Sequence, residues 1–282
     1  MYKKHHPWLF MTPAMIFLII FSAAPALVAV YLSFTEYNVI NAPEWIGLAN
    51  YKDLMQDDLF WKTMWNTVYY WLLVTPALVV LPVFLAILVN KALLGVKAFR
   101  LIYYFPTLVS VVVTAFLWSW MFQSDGVLNY LIGLFGAEPV KWLTSKQMVL
   151  PSLAIVTVWQ GLGYYMLFYL SGLQSVPEDL YEAADLDGAG FWRKHISVTF
   201  PMLRPIIFFV AVVSTMGAFK EFSLMMTMTK GGPIDASTTV VYLIYEEAFT
   251  RLQMGRASAM SFILFVFILV LTVINKRYLD RE

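Results

Sequence analysis

Five stretches of this chain, residues 8–34, 63–89, 101–122, 149–173 and 257–274, carry no charged side chain. A sixth, 206–228, carries only Lys220 and Glu221. A helix crossing the roughly 30 Å hydrocarbon core of a bilayer needs about 20 mostly apolar residues, so the pattern predicts an all-α membrane protein with six transmembrane helices. The first run exceeds the roughly 7–15-residue core of a signal peptide, and it reads as a retained anchor. Prolines and glycines recur inside the runs (Pro25, Pro76, Pro82, Pro106, Gly161, Gly163, Gly217). Membrane helices tolerate both, because neighbouring elements can satisfy the freed backbone groups.

Six spans place both termini on one side. With alternate loops on opposite sides, eleven of the 19 Lys and Arg fall with the termini, seven fall opposite, and Lys220 lies within a span. The bias includes Lys3, Lys4 and Arg281, and it is cleanest where Lys91, Lys97 and Arg100 stand without an acid among them. Positive charge gathers on the cytoplasmic side, so both termini are expected there, together with the loop between the fourth and fifth spans.

That loop interrupts the apolar pattern with "SVPEDLYEAADLDGAGFWRKH". Ser175 and Glu178 have capping-box spacing, Pro177 suits a first turn, and Glu178 with Asp179 complements the positive end of a helix. Gly188 can take the left-handed conformation that stops one. Between them Val176, Leu180, Ala183 and Ala184 share a face, with Glu178, Glu182 and Asp185 as an acidic stripe beside it. A helix of about three turns is not stable alone in water. It must dock, either on its own membrane domain or on a partner. The aromatic pair Phe191–Trp192, the basic cluster Arg193–Lys194 and the prolines at 201 and 205 then lead directly into the fifth span.

Composition narrows the function classes. The chain is 60% hydrophobic and 13% charged, where soluble domains hold about 25% charged residues. A net charge of +1 and the lack of a basic patch with interleaved aromatics argue against nucleic acid. Cysteine is absent and histidines number three, so no disulfide, thiolate site or metal cluster is expected. There is no HExxH and no nucleophile–base constellation, so no catalytic residue is assigned. Nor is there a GxxxxGK[ST] phosphate loop, so ATP cannot be hydrolysed by that route.

"EAADLDGAGFWRKHISVTFP" resembles the EAA loop of the permease subunits of binding-protein-dependent ABC importers, with Glu182, Ala183, Ala184, Gly188 and Pro201 in place and Val198 and Phe200 standing for Ile and Leu. "DGVLNYLIGLFG", "WQGLGYYMLFYLSGLQ" and "MMTMTKGGPIDASTTVVYLIYEEAF" resemble the MalF-type carbohydrate-uptake subfamily, and the similarity runs over roughly residues 8–275. The resemblance implies a single transmembrane permease domain of the type I ABC importer fold, with an EAA loop over 175–205. It places the chain in a bacterial or archaeal cytoplasmic (inner) membrane, embedded in lipid. The implied partners are a second homologous permease, a dimer of ATP-binding subunits that carries the ATP and Mg, and an extracytoplasmic solute-binding protein. This chain would hold no cofactor. The binding protein would dock on loops 125–148 and 229–256.

By the same resemblance the charged helix is the coupling helix. Its contact surface comprises Leu180, Glu182, Ala183, Ala184, Asp185, Gly188, Arg193 and Pro201. Lys220 lies nine residues before Thr229, about 13 Å along a straight helix and so near mid-membrane, where charges usually face a cavity or a partner. "GAFKEF" and "WQGLGYY" match the segments that line the sugar site of the maltose permease. They place Gln160, Gly161, Tyr164, Lys220, Glu221 and Phe222 around a substrate cavity. The solute class implied is a sugar, with glycerol 3-phosphate or another polyol phosphate as the alternative. An ion-coupled secondary transporter also accounts for the spans and the Lys220–Glu221 pair, but leaves the charged helix without a task.

Overall fold

The computed structural model describes residues 6–90 and 95–279. Lys3, Lys4, Lys91 and Arg281, which contribute to the orientation bias, lie outside the described residues. The chain divides into two compact units: one holds the chain up to Trp61 with Leu243–Phe267, the other Lys62–Tyr242 and the chain from Ile268 on.

In the first unit, α1 (His6–Leu18) and α2 (Ala24–Leu32) join through a π-helical turn at Ile19–Ala23. Pro25 lacks the amide hydrogen that a regular helix would need at that position. The wider turn, in which Ala24 N–H bonds Ile19 O, carries the helix past it. The segment from Phe10 to Leu32 is apolar and long enough to cross a bilayer, as the sequence indicates. A short antiparallel pair follows, β1 (Thr35–Glu36) with β2 (Glu44–Trp45), then α3 (Ala49–Gln56). This hairpin is absent from the all-α expectation; two-residue strands leave no periodic signal. Arg256 ties the start of the last helix to α3 through Asp53 (2.7 Å) and to the residue that follows α3, Asp57.

α4 (Asp58–Val89) is a single long helix through Pro76 and Pro82. The third apolar run is not one straight span. It forms α5 (Val96–Leu108) and α6 (Val111–Met121), bent by 99°. Val109 and Ser110 both have ψ of 136°, two extended residues that turn the chain between the helices. α7 (Val127–Gly133) is a short helix in the next loop, and α8 (Val149–Gln174) is the fourth span. Leu153, Val156, Met166 and Tyr169 of α8 are buried, and α8 forms the centre of this unit's core. Gly163 lets α5 approach it closely: a Cβ there would fall on the Tyr103 carbonyl and Tyr104 Cα.

α9 (Glu178–Leu186) and α10 (Phe191–Lys194) follow, then a π turn at His195–Thr199 that leads into α11 (Phe200–Phe219). The fifth apolar run also departs from expectation. α11 stops at Phe219, and a separate helical stretch with a π turn at Met225–Thr229 takes over. Lys220 and Glu221 therefore mark a helix end rather than the middle of a straight span. α12 (Val240–Tyr245), a further π turn at Glu246–Thr250 and α13 (Met254–Leu279) complete the chain. The fifth extramembrane loop is thus partly helical. Among the described residues, five helices have the length and composition to cross a membrane, and the bent α5–α6 pair brings the number to six if it is one span.

Candidate functional site

The two helix breaks, between α5 and α6 and after α11, meet at one cavity of about 300 Å³. Val74 and Leu78 of α4 line it, with Thr107 and Val111 on either side of the α5–α6 break. α8 supplies Thr157, Gln160, Gly161, Tyr164 and Tyr165, and α11 supplies Ser214, Gly217 and Ala218; Glu221 stands at the α11 break. Broken helices at membrane depth are tolerated where they line a cavity and where side chains replace the lost backbone bonds. Both conditions are met here. Gln160 Nε2 donates to the Val109 carbonyl at 3.0 Å, and Thr107 Oγ1 donates to the Gln160 carbonyl at 2.9 Å. At the other break, Glu221 Oε1 accepts the Leu224 N–H at 3.0 Å and starts the next helical turn.

Four of the six residues assigned to a substrate site from the sequence, Gln160, Gly161, Tyr164 and Glu221, line this cavity. Lys220 caps the end of α11, is exposed, and lies outside that lining. Phe222 instead stacks on Tyr242, with ring centroids 6.1 Å apart. Gly161 serves a close approach, but to protein: a Cβ there would stand 3.0 Å from Leu78 Cδ2. The sequence did not single out Thr107, Thr157 or Ser214. Uncharged hydroxyls in apolar runs are frequent, and Thr157 is marked only by its partner, Tyr70, at 2.5 Å.

At the other end of α11 the charged loop is built much as its residues indicate, with one difference. Ser175 does not cap α9. Its hydroxyl donates back to the Gly172 carbonyl at 2.8 Å, and Pro177 occupies the cap position without a side-chain bond. Leaving α8, the chain offers a nearer acceptor than the one the capping box requires. The stop is as expected: Gly188 has φ +73°. Gly188 N–H bonds Asp185 O at 3.0 Å and Ala189 N–H bonds Ala184 O at 2.9 Å, the paired bonds of a Schellman ending.

Of the assigned coupling residues, Leu180, Glu182, Ala183, Asp185 and Gly188 are exposed along α9 and its end, as is Arg193 on α10. Ala184 and Pro201 are partly covered. Leu186 (91%) and Trp192 (63%) add exposed apolar surface that the motif match does not include. Asp185 pairs with Lys194, joining α9 to α10.

On the loops after α6 and after the Met225–Thr229 turn, polar side chains serve their own backbone. Buried Asn129 donates to the carbonyls of Gln123, Ser124 and Val140 and accepts from Val140 N–H and Trp142 Nε1. In "TKGGPIDASTT", Ser237 Oγ donates to Gly232 O at 2.6 Å, and Asn66 on α4 donates to the carbonyls of Asp235 and Thr238. Positive φ at Lys230, Gly231, Ile234 and Asp235 folds this loop into a tight knot.

Known proteins share this architecture and sequence. A family model described as "Binding-protein-dependent transport system inner membrane component" matches residues 46–281. The sn-glycerol-3-phosphate transport system permease protein UgpA of Salmonella typhimurium (strain LT2) is 31% identical, over 98% of this chain and 94% of that one. The probable starch degradation products transport system permease protein AmyD of Thermoanaerobacterium thermosulfurigenes is also 31% identical, over 95% of this chain and 91% of its own length. The fold matches a crystal structure of a bacterial ABC transporter that imports the acidic polysaccharide alginate, at a TM-score of 0.83 and 24% identity, covering 97% of this chain and 94% of that one. The chain therefore belongs to the binding-protein-dependent transport system inner membrane components, as a multi-pass permease of the type I ABC importer fold.

Proposed function

We propose that this chain is one of two permease subunits in an ATP-driven importer for a carbohydrate, with both termini in the cytoplasm. α9 receives the stroke of a partner ATPase dimer, which binds the Mg-ATP, and a solute-binding protein delivers solute at the opposite face. The observation that carries this reading is α9 itself: a short amphipathic helix fixed to the entry of α11, with Leu180 and Leu186 exposed on it (40% and 91%). Exposed apolar side chains on such a helix suit it to docking.

The sugar class is supported by the likeness to AmyD and by the cavity, whose polar lining is hydroxyl, amide and the Glu221 carboxyl, with no lysine or arginine. Such groups bond the hydroxyls of a neutral sugar while apolar walls pack on its C–H surface. The likeness to UgpA supports a polyol phosphate as the second reading.

Gly188→Asp tests the coupling assignment. The space above Gly188 is open, but its φ of +73° strains any side chain, so the new carboxylate distorts the stop of α9 at the docking surface. The variant is expected to insert normally and to lose either ATPase co-purification or energised uptake. Uptake at the wild-type rate with the ATPase still bound would count against α9 as the coupling helix. Uptake of radiolabelled maltodextrin and of glycerol 3-phosphate by the same cells separates the two solute readings.

A further inference from the structure

Thr199, in the turn that enters α11, is fully buried and is held from two directions. Its Oγ1 lies 2.9 Å from Tyr181 Oη on α9 and 2.8 Å from His195 Nδ1 in the π turn. A hydroxyl has one proton to give and two lone pairs to accept with, so one oxygen joins α9 to both ends of the π turn, at the residue that immediately precedes α11. The Asp185–Lys194 pair, which ties α9 to α10, has side chains 59% and 26% exposed, and ion pairs that open to solvent contribute little. The buried hydroxyl is the tie whose geometry is fixed.

Beyond Thr199, α11 runs unbroken from Phe200 to Phe219. Gly217, which lines the cavity, stands about 27 Å along it at 1.5 Å per residue. A continuous helix moves as a rod, so a displacement at Thr199 is carried to the cavity wall. Without the hydroxyl, α9 can shift against α11 and the displacement is lost.

We propose that Thr199 is a positioning residue for energy coupling: held by Tyr181 and His195, it makes the docking helix and α11 move as one body. The inference rests on the importer reading, and its test separates the two. The chain has no cysteine, and nothing lies within 4 Å of a Cβ built on Gly217, so Gly217→Cys is a clean reporter. The complex, purified with its ATPase and placed in nanodiscs, is labelled with a water-soluble methanethiosulfonate, with and without Mg-ATP plus vanadate.

The reporter is expected to react at different rates in the two states. Thr199→Val should shrink that difference by about fivefold, the weight of the one neutral hydrogen bond that crosses to α9, while ATP hydrolysis continues. Thr199→Ser should restore it, which a purely space-filling role would not require. Tyr181→Phe removes the other half of the contact and should act in the same direction, whether or not the valine variant folds. A full difference in the Thr199→Val and Tyr181→Phe chains overturns the proposal. So does a reporter that ignores nucleotide in a complex that hydrolyses ATP, although the importer reading survives that result. A chain that never purifies with an ATPase sinks both.

Discussion

The two helix breaks are sealed in different ways, and the difference marks which wall of the cavity is fixed. The α5–α6 break is closed from outside by α8, with Gln160 bonded to Val109 and Thr107 bonded back to Gln160. Around it the backbones of α5 and α8 touch through Gly163. The α11 break closes upon itself, Glu221 taking the N–H of Leu224 three residues on. Gly217 beside it faces open space. α11 meets its neighbours through side chains: Trp71 Nε1 of α4 donates to Thr215 at 3.0 Å and lies against the Phe219 ring, and on α8 Phe168 packs on Phe209 while Leu203 and Ile206 fill the space at Gly172. Contacts at side-chain tips can slide, whereas backbone contacts cannot. On the proposed reading, the α5–α8 wall is the static one, and α11 is the wall that follows a stroke from the docking helix.

The largest effect that breaks this contrast is expected at Gly163. Its Ala variant drives a methyl group into the Tyr103 carbonyl, and neither backbone can give without moving its helix. Overpacking of this kind costs roughly 1–3 kcal/mol, so the purified permease should lose several degrees of melting temperature. An unchanged melting temperature would show that α5 and α8 are not in register here. Gln160→Leu comes next. It leaves the Val109 carbonyl without its donor inside the membrane, at a cost of about 1–3 kcal/mol. Gln160→Met keeps the length without a donor, and it should cost about as much. A stable Met variant would show that the amide does not seal the break.

How much of this was legible in the sequence depends on whether a residue's partner is local. Gly188 ends α9 because its own φ is positive, and the charged helix, its face and its stop follow from neighbours within a few residues. The span lengths follow from apolar runs, and the likeness to the permease family from spaced motifs. The breaks do not follow. The α5–α6 bend occurs in an uncharged stretch, and the group that makes it tolerable, Gln160, lies 51 residues from Val109. Lys220 and Glu221 were visible as charges in an apolar run, yet the same signal fits a charge pair in mid-helix and a helix end. Only the backbone distinguishes the two. Likewise Ser175 has the right spacing for a capping box, and a competing carbonyl one turn back decides its partner.

Glu221 sharpens the comparison on the α11 side. Replacing it with Ala removes the acceptor that starts the next helical turn and should cost about 0.5–2 kcal/mol, as for the loss of other helix caps. Gln at the same position can still accept the Leu224 N–H through its amide oxygen, and should restore most of that stability. If Gln is as damaging as Ala, the negative charge rather than the hydrogen bond does the sealing.

The smallest effect is expected at Gly217, and its sign is what matters. The residue sits inside α11, a Cβ added to it would meet nothing within 4 Å, and a glycine in a helix interior costs roughly 0.5–1 kcal/mol relative to alanine. Gly217→Ala should therefore leave stability unchanged or raise it slightly, the reverse of Gly163→Ala one helix away. A loss comparable to that at Gly163 would mean that α11 is clamped at the cavity as tightly as α5, and both walls would then be static. A gain in stability with slower uptake would instead show that the methyl group stiffens the wall that has to move.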